Sequence, residues 1–358
     1  MLSVYVHIPF CKSRCLYCDF FSTTQLDLRE QYVQALIREA HSRLSTLDSQ
    51  LSTIYFGGGT PSMLSVEQIR SILSAINPTN AIEITLEANP GDLSLDKLQA
   101  LRAIGINRLS IGIQSFRNDE LRLLGRRHNA QQAIDAVHLA QQAGFDNISI
   151  DLMYAIPRQT LDDWQFNIRQ ALDLHVQHIS CYCLTYEPHT RLTQLVESGK
   201  LTPADEDTEN EMYDILCDEM AANGYEHYEV SNFALKNRRS RHNSAYWNDT
   251  PYIGLGAGAH SYDGTTRRWN LDDLQAYING LSNGSQYWEE EHLTPDQKTM
   301  EHIMLGLRTS DGIPINPTLQ TKAQPHIDAG RLTITPNRHL VATQTGLHIL
   351  NRIIEDLT

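Results

Sequence analysis

Short apolar runs alternate with longer amphipathic stretches from residue 3 to about residue 230. Each short run is rich in Ile, Val, Leu and Tyr and is followed by a Gly, Pro or Asn signal, which is typical of β-strands. The predicted strands are Ser3–Ile8, Thr53–Phe56, Ile82–Glu87, Arg108–Gln114, Asn147–Leu152 and His178–Leu184. The predicted helices, marked by apolar residues at helical spacing, are Glu30–Leu44, Val66–Ile76, Leu95–Ile104, Gln131–Ala143 and Leu161–Leu174. Repeated strand–helix units predict parallel strands joined by right-handed crossovers.

This alternation predicts an α/β fold, with a partial (β/α)6 barrel of the TIM type as the favoured architecture and a doubly wound open sheet as the alternative. After about residue 235 the alternation stops at a basic, non-periodic stretch, Lys236–His242. The rest of the chain predicts helices near Asp272–Gly280, Pro295–Leu307 and Thr345–Leu357 and strands at Leu332–Ile334 and His339–Ala342. We therefore predict a core domain over residues 1–235 and a smaller α+β C-terminal domain over residues 236–358.

The composition excludes several classes of protein. Hydrophobic residues make up 41% of the 358 residues, which is too many for a disordered chain. The 29 Lys and Arg against 43 Asp and Glu give a formal charge of −14, which argues against a general nucleic-acid binder and gives no support for docking on an anionic membrane. No apolar run approaches the ~18–20 residues that span a bilayer, and Met1–Pro9 lacks the regions of a signal peptide. We expect a cytoplasmic protein whose thiols stay reduced.

Polar and glycine residues follow the predicted strands at the points where these strands end. In chain order they are Cys11, Cys15 and Cys18, then Gly57–Pro61, Glu87, Gln114, Asp151 and Thr185. In a barrel of parallel strands, all of these positions converge on the C-terminal face. The pattern therefore predicts one site over the mouth of the barrel.

The spacing of the three cysteines is Cys-x3-Cys-x2-Cys, and all three lie within eight residues. A structural zinc ion takes four ligands, and an ordinary four-iron cluster takes four cysteines, so three thiolates leave one iron open to a non-protein ligand. Asp19 rather than His follows Cys18, which excludes attachment of a c-type haem. A zinc site completed by His7 and three unconnected thiols remain the alternatives.

The cysteine spacing after the first strand, with Gly-Gly-Gly-Thr-Pro after the second, resembles the radical S-adenosylmethionine (SAM) enzymes. Three longer segments, Tyr5–Cys11, Leu109–Phe116 and Ser149–Pro157, are similar to the oxygen-independent coproporphyrinogen III oxidase group. The true oxidases carry a further cysteine where this chain has Phe20, whereas the oxidase-like haem chaperones carry the His-Asn-x-x-Tyr-Trp motif found here at His242–Trp247. The chain therefore resembles the haem chaperone branch.

The resemblance implies roles for named residues. Cys11, Cys15 and Cys18 would bind three irons of a [4Fe-4S] cluster, and the fourth iron would chelate the amino and carboxylate groups of SAM. The residues that match SAM-contacting or cluster-flanking positions are Tyr5, Tyr17, Gly58, Gly59, Thr60, Glu87, Gln114, Arg126 and Asp151. Taken singly, each of these is equally well explained by a structural hydrogen bond. Their shared position at strand ends favours ligand contact.

The same resemblance implies a haem site in the second part of the chain. His242 is the candidate axial ligand of haem iron, Tyr246 and Trp247 would flank the porphyrin, and Arg238, Arg239 and Arg241 would pair with propionates. A packed histidine and solvated arginines are the alternatives. His260 is a rival ligand, although its loop, Gly254–His260, is expected beside the adenine of SAM.

Two other features of the chain indicate ordinary structure. The Gly-x-Gly-x-Gly pattern of the Gly254–His260 loop is not the dinucleotide-binding fingerprint, and we predict neither a strand before it nor a helix directly after it. Cys181 and Cys183 lie two apart on a predicted strand and share a face, and Cys217 falls in an apolar helical stripe. These three cysteines are expected to be buried small apolar residues.

The function that the resemblance implies is a radical SAM chaperone that binds haem and a [4Fe-4S] cluster and transfers haem to an acceptor protein, such as a respiratory enzyme, without coproporphyrinogen oxidase activity. The alternatives are the oxidase itself, which would convert coproporphyrinogen III to protoporphyrinogen IX, and a radical SAM enzyme with another substrate. The partners that the resemblance implies are haem, the acceptor and an electron-donor protein, while the acidic charge argues against nucleic acid. A homodimer and a peripheral membrane contact through the acceptor are further expectations.

Overall fold

The computed structural model describes residues 2–45, 51–78 and 80–358. The strands are Leu2–Ile8 (β1), Leu51–Gly58 (β2), Glu83–Ala88 (β3), Arg108–Gln114 (β4), Ile148–Tyr154 (β5), His178–Cys183 (β6), Glu226–Glu229 (β7), Asn232–Ala234 (β8), Tyr252–Leu255 (β9), His260–Tyr262 (β10), Thr266–Asn270 (β11), Trp288–His292 (β12), Ile313–Pro314 (β13), Leu332–Ile334 (β14) and His339–Ala342 (β15). The α-helices are Arg29–Leu44 (α1), Val66–Ile76 (α2), Leu95–Ala103 (α3), Asn118–Leu124 (α4), Ala130–Gln142 (α5), Leu161–Asp173 (α6), Arg191–Glu197 (α7), Glu206–Ala222 (α8), Arg241–Trp247 (α9), Leu274–Asn283 (α10), Pro295–Gly306 (α11), Pro317–Asp328 (α12), Gln344–Leu347 (α13) and Leu350–Leu357 (α14).

Strands β1 to β6 lie side by side in chain order, and each neighbouring pair is parallel. When parallel strands lie in chain order and are joined by right-handed crossovers, the connecting helices all lie on one face of the sheet. In a doubly wound sheet the strand order reverses at an inner strand, and helices cover both faces. The α/β barrel prediction is therefore confirmed, and the doubly wound alternative is wrong. Strand β9 continues the sheet beside β1 and β8 continues it beside β6, so that β12 and β7 form its edges and the barrel is partial.

The two faces of the barrel strands differ in polarity. On β1, Val4, Val6 and Ile8 belong to the hydrophobic core that includes the helices, whereas Tyr5 and His7 alternate with them and face the barrel interior. Strands of a parallel sheet are usually apolar on both faces. The polar inner face therefore makes the interior of this barrel a candidate ligand site.

The helix ends follow from local capping. Ser65 and Gln68 form a capping box at the start of α2, and Asn77 ends this helix in the left-handed conformation, which gives the predicted bounds Val66–Ile76. The predicted helix Thr345–Leu357 is wrong as a single element. Ile349 takes a non-helical conformation and divides it into α13 and α14.

The second part of the chain contributes to two cores. Strands β9 to β12 extend the main sheet, and helix α10 packs into the main hydrophobic core. A separate cluster lies within residues 303–357, beside the antiparallel sheet β13–β15–β14. The smaller α+β part is thus present, while the division into residues 1–235 and 236–358 stays a prediction. Within the described ranges, no helix has both the length and the apolar composition needed to cross a bilayer.

Candidate functional site

A cavity of about 1180 Å³ opens at the carboxyl ends of the barrel strands. The predicted site residues that line it are Cys11, Cys15, Tyr17, Cys18, Gly58, Gly59, Thr60, Glu87, Gln114, Arg126 and Asp151. The structure therefore brings together the residues that follow β1 to β5, as the barrel geometry predicts. Their individual roles as ligands stay predictions.

The loop that carries the three cysteines is fixed by backbone hydrogen bonds at several points. The Cys11 amide donates to the carbonyl of Thr23 (2.9 Å), which places the first cysteine at the end of β1. The Leu16 amide donates to the carbonyl of Leu124 (3.1 Å), and the Leu16 carbonyl accepts from the Leu192 amide (2.9 Å). These bonds hold Cys15 and Cys18 on one wall of the cavity.

The three thiols have different neighbours. The sulfur of Cys11 lies 3.4 Å from the Thr60 hydroxyl, and the sulfur of Cys15 accepts from Nη1 of Arg126 at 3.4 Å. Burial raises the pKa of the Cys11 and Cys18 thiols, so both favour the protonated form until a metal displaces the proton.

The thiols share the cavity wall without converging on a point. In the part of the chain that the structure describes, no three His, Cys, Asp or Glu side chains are gathered closely enough to hold a metal ion. The His7 ring, which would complete the zinc alternative, bonds the Tyr5 hydroxyl and the carbonyl of Phe21. Each thiolate of a cluster binds a different iron, and so a [4Fe-4S] cluster accepts ligands that stand farther apart.

Neighbouring atoms leave no space for a side chain at the two glycines at the end of β2, Gly58 and Gly59. Gly58 has φ +109°, and a Cβ on it would lie 2.5 Å from the His7 ring. A Cβ on Gly59 would lie 2.7 Å from the backbone of Pro9. The two glycines therefore allow β2 to pass close to the end of β1, and they leave backbone rather than side chains on the cavity wall.

Two carboxylates form the acidic floor of the cavity. Glu87 accepts from the Tyr55 hydroxyl (2.9 Å) and the Gly58 amide (3.1 Å), and Asp151 accepts from the Ser110 hydroxyl (3.2 Å). Burial, together with the nearby charge of Asp151, raises the pKa of Glu87 to about 7. Burial also raises the pKa of Asp151. The floor is therefore suited to a bound cation, which would favour the ionised form of both groups.

A buried arginine lies below this floor. Arg108 is the first residue of β4, and its Nε and Nη1 atoms have no hydrogen-bond partner. Its positive charge lowers the pKa of both Glu87 and Asp151 and so partly opposes the effect of burial.

Two buried polar atoms near Arg126 have no hydrogen-bond partner among the residues that the structure describes. This arginine contacts the Cys15 sulfur and the Tyr17 hydroxyl (3.5 Å), and it donates to the carbonyl of Gly112. Its Nε atom and the Oε1 atom of Gln114 are buried without a hydrogen-bond partner. Buried polar atoms normally have partners, so the site fits a polar ligand such as the amino-acid end of SAM next to a cluster.

The four other predicted site residues lie outside the cavity lining. His242 is 1% exposed, and its two ring nitrogens bond Thr53 Oγ1 (2.8 Å) and the Tyr246 hydroxyl (3.0 Å). Burial lowers the pKa of His242 to about 3, so the ring is neutral. The Tyr5 hydroxyl bonds His7 (3.2 Å), and Trp247 is half-buried on α9. The motif therefore lies toward the amino end of the barrel, opposite the cysteines.

Two of the three arginines predicted to meet propionates pair with carboxylates of the protein. Arg239 bonds Glu226 and Asp311 (3.0 Å), and Arg238 pairs with Asp146 at 3.5 Å. The Arg241 amide donates to Glu83 at the start of α9. Neither these arginines nor His260 lines the cavity.

The glycine-rich loop and the remaining cysteines have structural positions. Gly254 lies in β9, so the expectation that no strand precedes the loop is wrong, but β10 rather than a helix follows. The loop is not among the residues that line the cavity, and its expected place beside adenine stays a prediction. Cys181 and Cys217 belong to the main core, and Cys183 on β6 also reaches the cavity.

Several residues that line or support the cavity were missed from the sequence. They are Tyr55, Asp92, Arg108, Arg127, Tyr182 and Arg308. The alternation of polar and apolar residues along β2 and β4 was a usable signal for Tyr55 and Arg108. The same alternation along β6 was a signal for Tyr182, whereas Asp92, Arg127 and Arg308 carry no local signal.

Comparison with known proteins extends these observations. The Radical SAM superfamily matches residues 5–170. A Bacillus subtilis (strain 168) protein, "Heme chaperone HemW", is 40% identical over 321 residues, which cover 87% of this chain and 85% of that protein. The Danio rerio protein "Radical S-adenosyl methionine domain-containing protein 1, mitochondrial" is 38% identical over an alignment 380 residues long, gaps included, which covers 98% of this chain and 86% of that protein.

The fold is also found in a solved structure. Coproporphyrinogen III oxidase (HemN) from Escherichia coli, a radical SAM enzyme, matches with a TM-score of 0.84 over 99% of this chain and 89% of that chain. The two sequences are 23% identical, and at this level the likeness shows a shared fold.

Proposed function

Since this chain belongs to the HemW family of radical SAM proteins, we propose that it is a haem chaperone that holds a [4Fe-4S] cluster and SAM in the barrel cavity and passes haem to an acceptor protein. The observation that carries the proposal is the common cavity of Cys11, Cys15 and Cys18 with the unpartnered atoms of Gln114 and Arg126. The cysteines need a reducing compartment, so the proposal places the protein in the cytoplasm.

The residues divide the work of holding the cofactors. The three cysteines hold the cluster, and Arg126 keeps a positive charge beside Cys15. Glu87 and Asp151 offer carboxylates to the ammonium and ribose hydroxyls of SAM, and Gln114 offers its free amide oxygen. The cluster, when bound, supplies the electron that cleaves the sulfonium bond of SAM in this family.

Haem is the cargo of the proposed chaperone. His242 stays the predicted ligand of haem iron, with Tyr246 and Trp247 beside it. Ligation by His242 requires the ring to give up its bond to Thr53 or Tyr246, because both nitrogens are engaged in this structure. The proposal therefore includes a rearrangement of α9 on haem binding.

Anaerobic reconstitution of the full chain with iron and sulfide, followed by haem titration, tests this function. We expect a stoichiometric Soret band, transfer of haem to an apo-acceptor and no turnover of coproporphyrinogen III. Turnover of coproporphyrinogen III with release of deoxyadenosine would instead identify the chain as an oxidase, and the absence of haem binding would overturn the chaperone proposal.

A further inference from the structure

The cavity continues beyond the cysteines into a region that the SAM assignment does not use. We define its far half by Tyr154, Tyr182, Tyr213, Arg308 and the segment Leu347–Arg352. The whole cavity, at about 1180 Å³, exceeds the ~300–1,000 Å³ of a pocket for one small molecule. A second ligand therefore has room beside SAM.

Arg308 is the cation in the far half that lacks an acidic partner. Its Nη1 donates to the Met304 carbonyl (2.7 Å) and its Nη2 to the Asn351 amide oxygen (2.8 Å). Among the described residues no carboxylate forms an ion pair with it, and burial alone lowers its pKa. A guanidinium has five N–H donors, so Arg308 is held in place with donors left for an anion.

The other charged groups of the far half are differently placed. Arg352 is 70% exposed and pairs with Glu355 (3.5 Å) and Asp356 (3.3 Å). Glu187 and Glu209 also line the cavity, but among the described residues the guanidinium of Arg308 bonds Met304 and Asn351 and neither of these carboxylates. Arg308 is therefore the group whose charge an incoming carboxylate would neutralise.

The same region offers an apolar face. Tyr182 on β6 is 41% exposed, although its strand is interior to the sheet. Its ring borders the far half together with Tyr154 and Tyr213, and with Leu347 and Leu350 from the C-terminal helices. The exposed ring of Tyr182 can stack on a flat, unsaturated ligand, with the buried rings of Tyr154 and Tyr213 behind it.

These observations together specify a ligand with a flat ring and ionised carboxylates. We propose that Arg308 binds a carboxylate of a tetrapyrrole whose ring lies in the far half of the cavity against Tyr182. The inference rests on the proposed function and makes the far half the place where haem is recognised by its propionates. His242 lies outside this cavity, toward the other end of the barrel, so a haem held at Arg308 is not ligated by His242 at the same time. The far half therefore binds haem in a separate step from ligation of its iron by His242.

The test compares haemin with its dimethyl ester, in which the propionates are uncharged. Both are titrated into anaerobically reconstituted wild-type protein and into Arg308→Leu, Arg308→Lys and Arg352→Leu variants, with iron content and SAM binding measured for each. We expect Arg308→Leu to weaken haemin binding at least about tenfold, as for the loss of a charged hydrogen bond. It should bind haemin and the ester equally, while Arg352→Leu behaves as wild type and Arg308→Lys is intermediate.

The outcomes separate the inference from the function. Wild type that binds no haemin contradicts the proposed function. Wild type that prefers haemin over the ester, with this preference kept in Arg308→Leu and Arg308→Lys, overturns the inference and leaves the function standing. Loss of haemin binding in His242→Ala with no effect in either Arg308 variant overturns it as well.

Discussion

The ring of His242 stacks on the ring of Tyr55, with 5.1 Å between their centroids. The hydroxyl of Tyr55 in turn donates to Glu87 on the cavity floor at 2.9 Å. His242 is therefore joined through one side chain to the proposed SAM site, although it lies at the other end of the barrel.

This relationship predicts that substitution of His242 affects SAM as well as haem. His242→Ala leaves space beside Tyr55, and the Tyr55 hydroxyl then holds Glu87 less firmly. We expect SAM binding about tenfold weaker in Tyr55→Phe, from the lost hydrogen bond, and partly weakened in His242→Ala. The double variant, measured by calorimetry with SAM, should be no weaker than Tyr55→Phe alone. Unchanged SAM affinity in His242→Ala would show that the two sites are independent.

A second prediction concerns pH and Glu87. In the ligand-free protein the pKa of Glu87 is raised to about 7, so below this pH the carboxyl must lose its proton before it can bind the ammonium of SAM. Affinity should therefore rise with pH, by up to about tenfold per unit, and level off above about pH 7. Asp151, whose pKa is also raised, adds to the same trend.

The matched variants are Glu87→Gln and Asp151→Asn, each titrated with SAM from about pH 5.5 to about pH 8. Glu87→Gln should bind weakly with most of the pH dependence removed. A slope in Glu87→Gln equal to that of wild type would assign the titration to another group.

A third prediction identifies Asp92 as a positioning residue for the cysteine loop. Asp92 is 4% exposed in its side chain and pairs with Lys12 (2.9 Å), next to Cys11, and with Arg127 (3.0 Å), next to Arg126. The reconstituted Asp92→Asn variant should lose iron several-fold faster than the wild type, because the ion pairs that link the Cys11 loop to the Arg126 segment are weakened. Asp96→Asn, an exposed change on α3, is the control.

The ion pairs of Asp92 with Lys12 and Arg127, which we call the Asp92 clamp, depend on pH in a definite direction. Burial alone would raise the pKa of Asp92, but the hydrogen bonds from Lys12 and Arg127 outweigh it and the pKa lies below its ordinary value. The clamp is therefore intact above the usual pKa of an aspartate and is lost as the pH falls through the lower, folded value. Equal iron loss from Asp92→Asn and Asp96→Asn would refute the positioning role.

A fourth prediction concerns backbone strain at Gln114. This residue has φ +71° at the end of β4, a conformation that costs a non-glycine residue ~1–2 kcal/mol. Gln114→Gly should leave the free energy of unfolding unchanged or raise it by up to about 1 kcal/mol, while SAM binding weakens. The control Gln99→Gly, within α3, should lower the free energy of unfolding by about 1 kcal/mol. Urea unfolding of both variants checks this, and equal destabilisation would mean that Gln114 is unstrained.

The sequence predicts well what depends on local signals. Strand β4 occurs as predicted over Arg108–Gln114, and helix α2 follows its capping residues. The cavity wall around Cys11 and Glu87 could be anticipated because barrel geometry fixes where strand ends meet.

What could not be predicted depends on contacts between distant parts of the chain. Arg308 reaches the cavity because the segment after α11 pairs with Val230, whose amide donates to the Arg308 carbonyl (3.0 Å), and Arg308 lies far along the chain from the barrel strands that it meets there. The place of His242 depends on its bonds to Thr53 and to Tyr246, and its motif carries no signal for which end of the barrel it occupies. The ion pairs of Arg239 with Glu226 and Asp311 likewise join distant parts of the chain and carry no local signal.

The most direct test of the central claim is electron paramagnetic resonance of the reduced, anaerobically reconstituted protein with and without SAM. We predict a [4Fe-4S] signal that SAM alters in wild type and in Cys217→Ala, a control cysteine in the main core, and a lost or strongly reduced signal in Cys15→Ala. A wild-type protein without such a signal, or a Cys15→Ala variant with the full SAM-sensitive signal, would contradict the account.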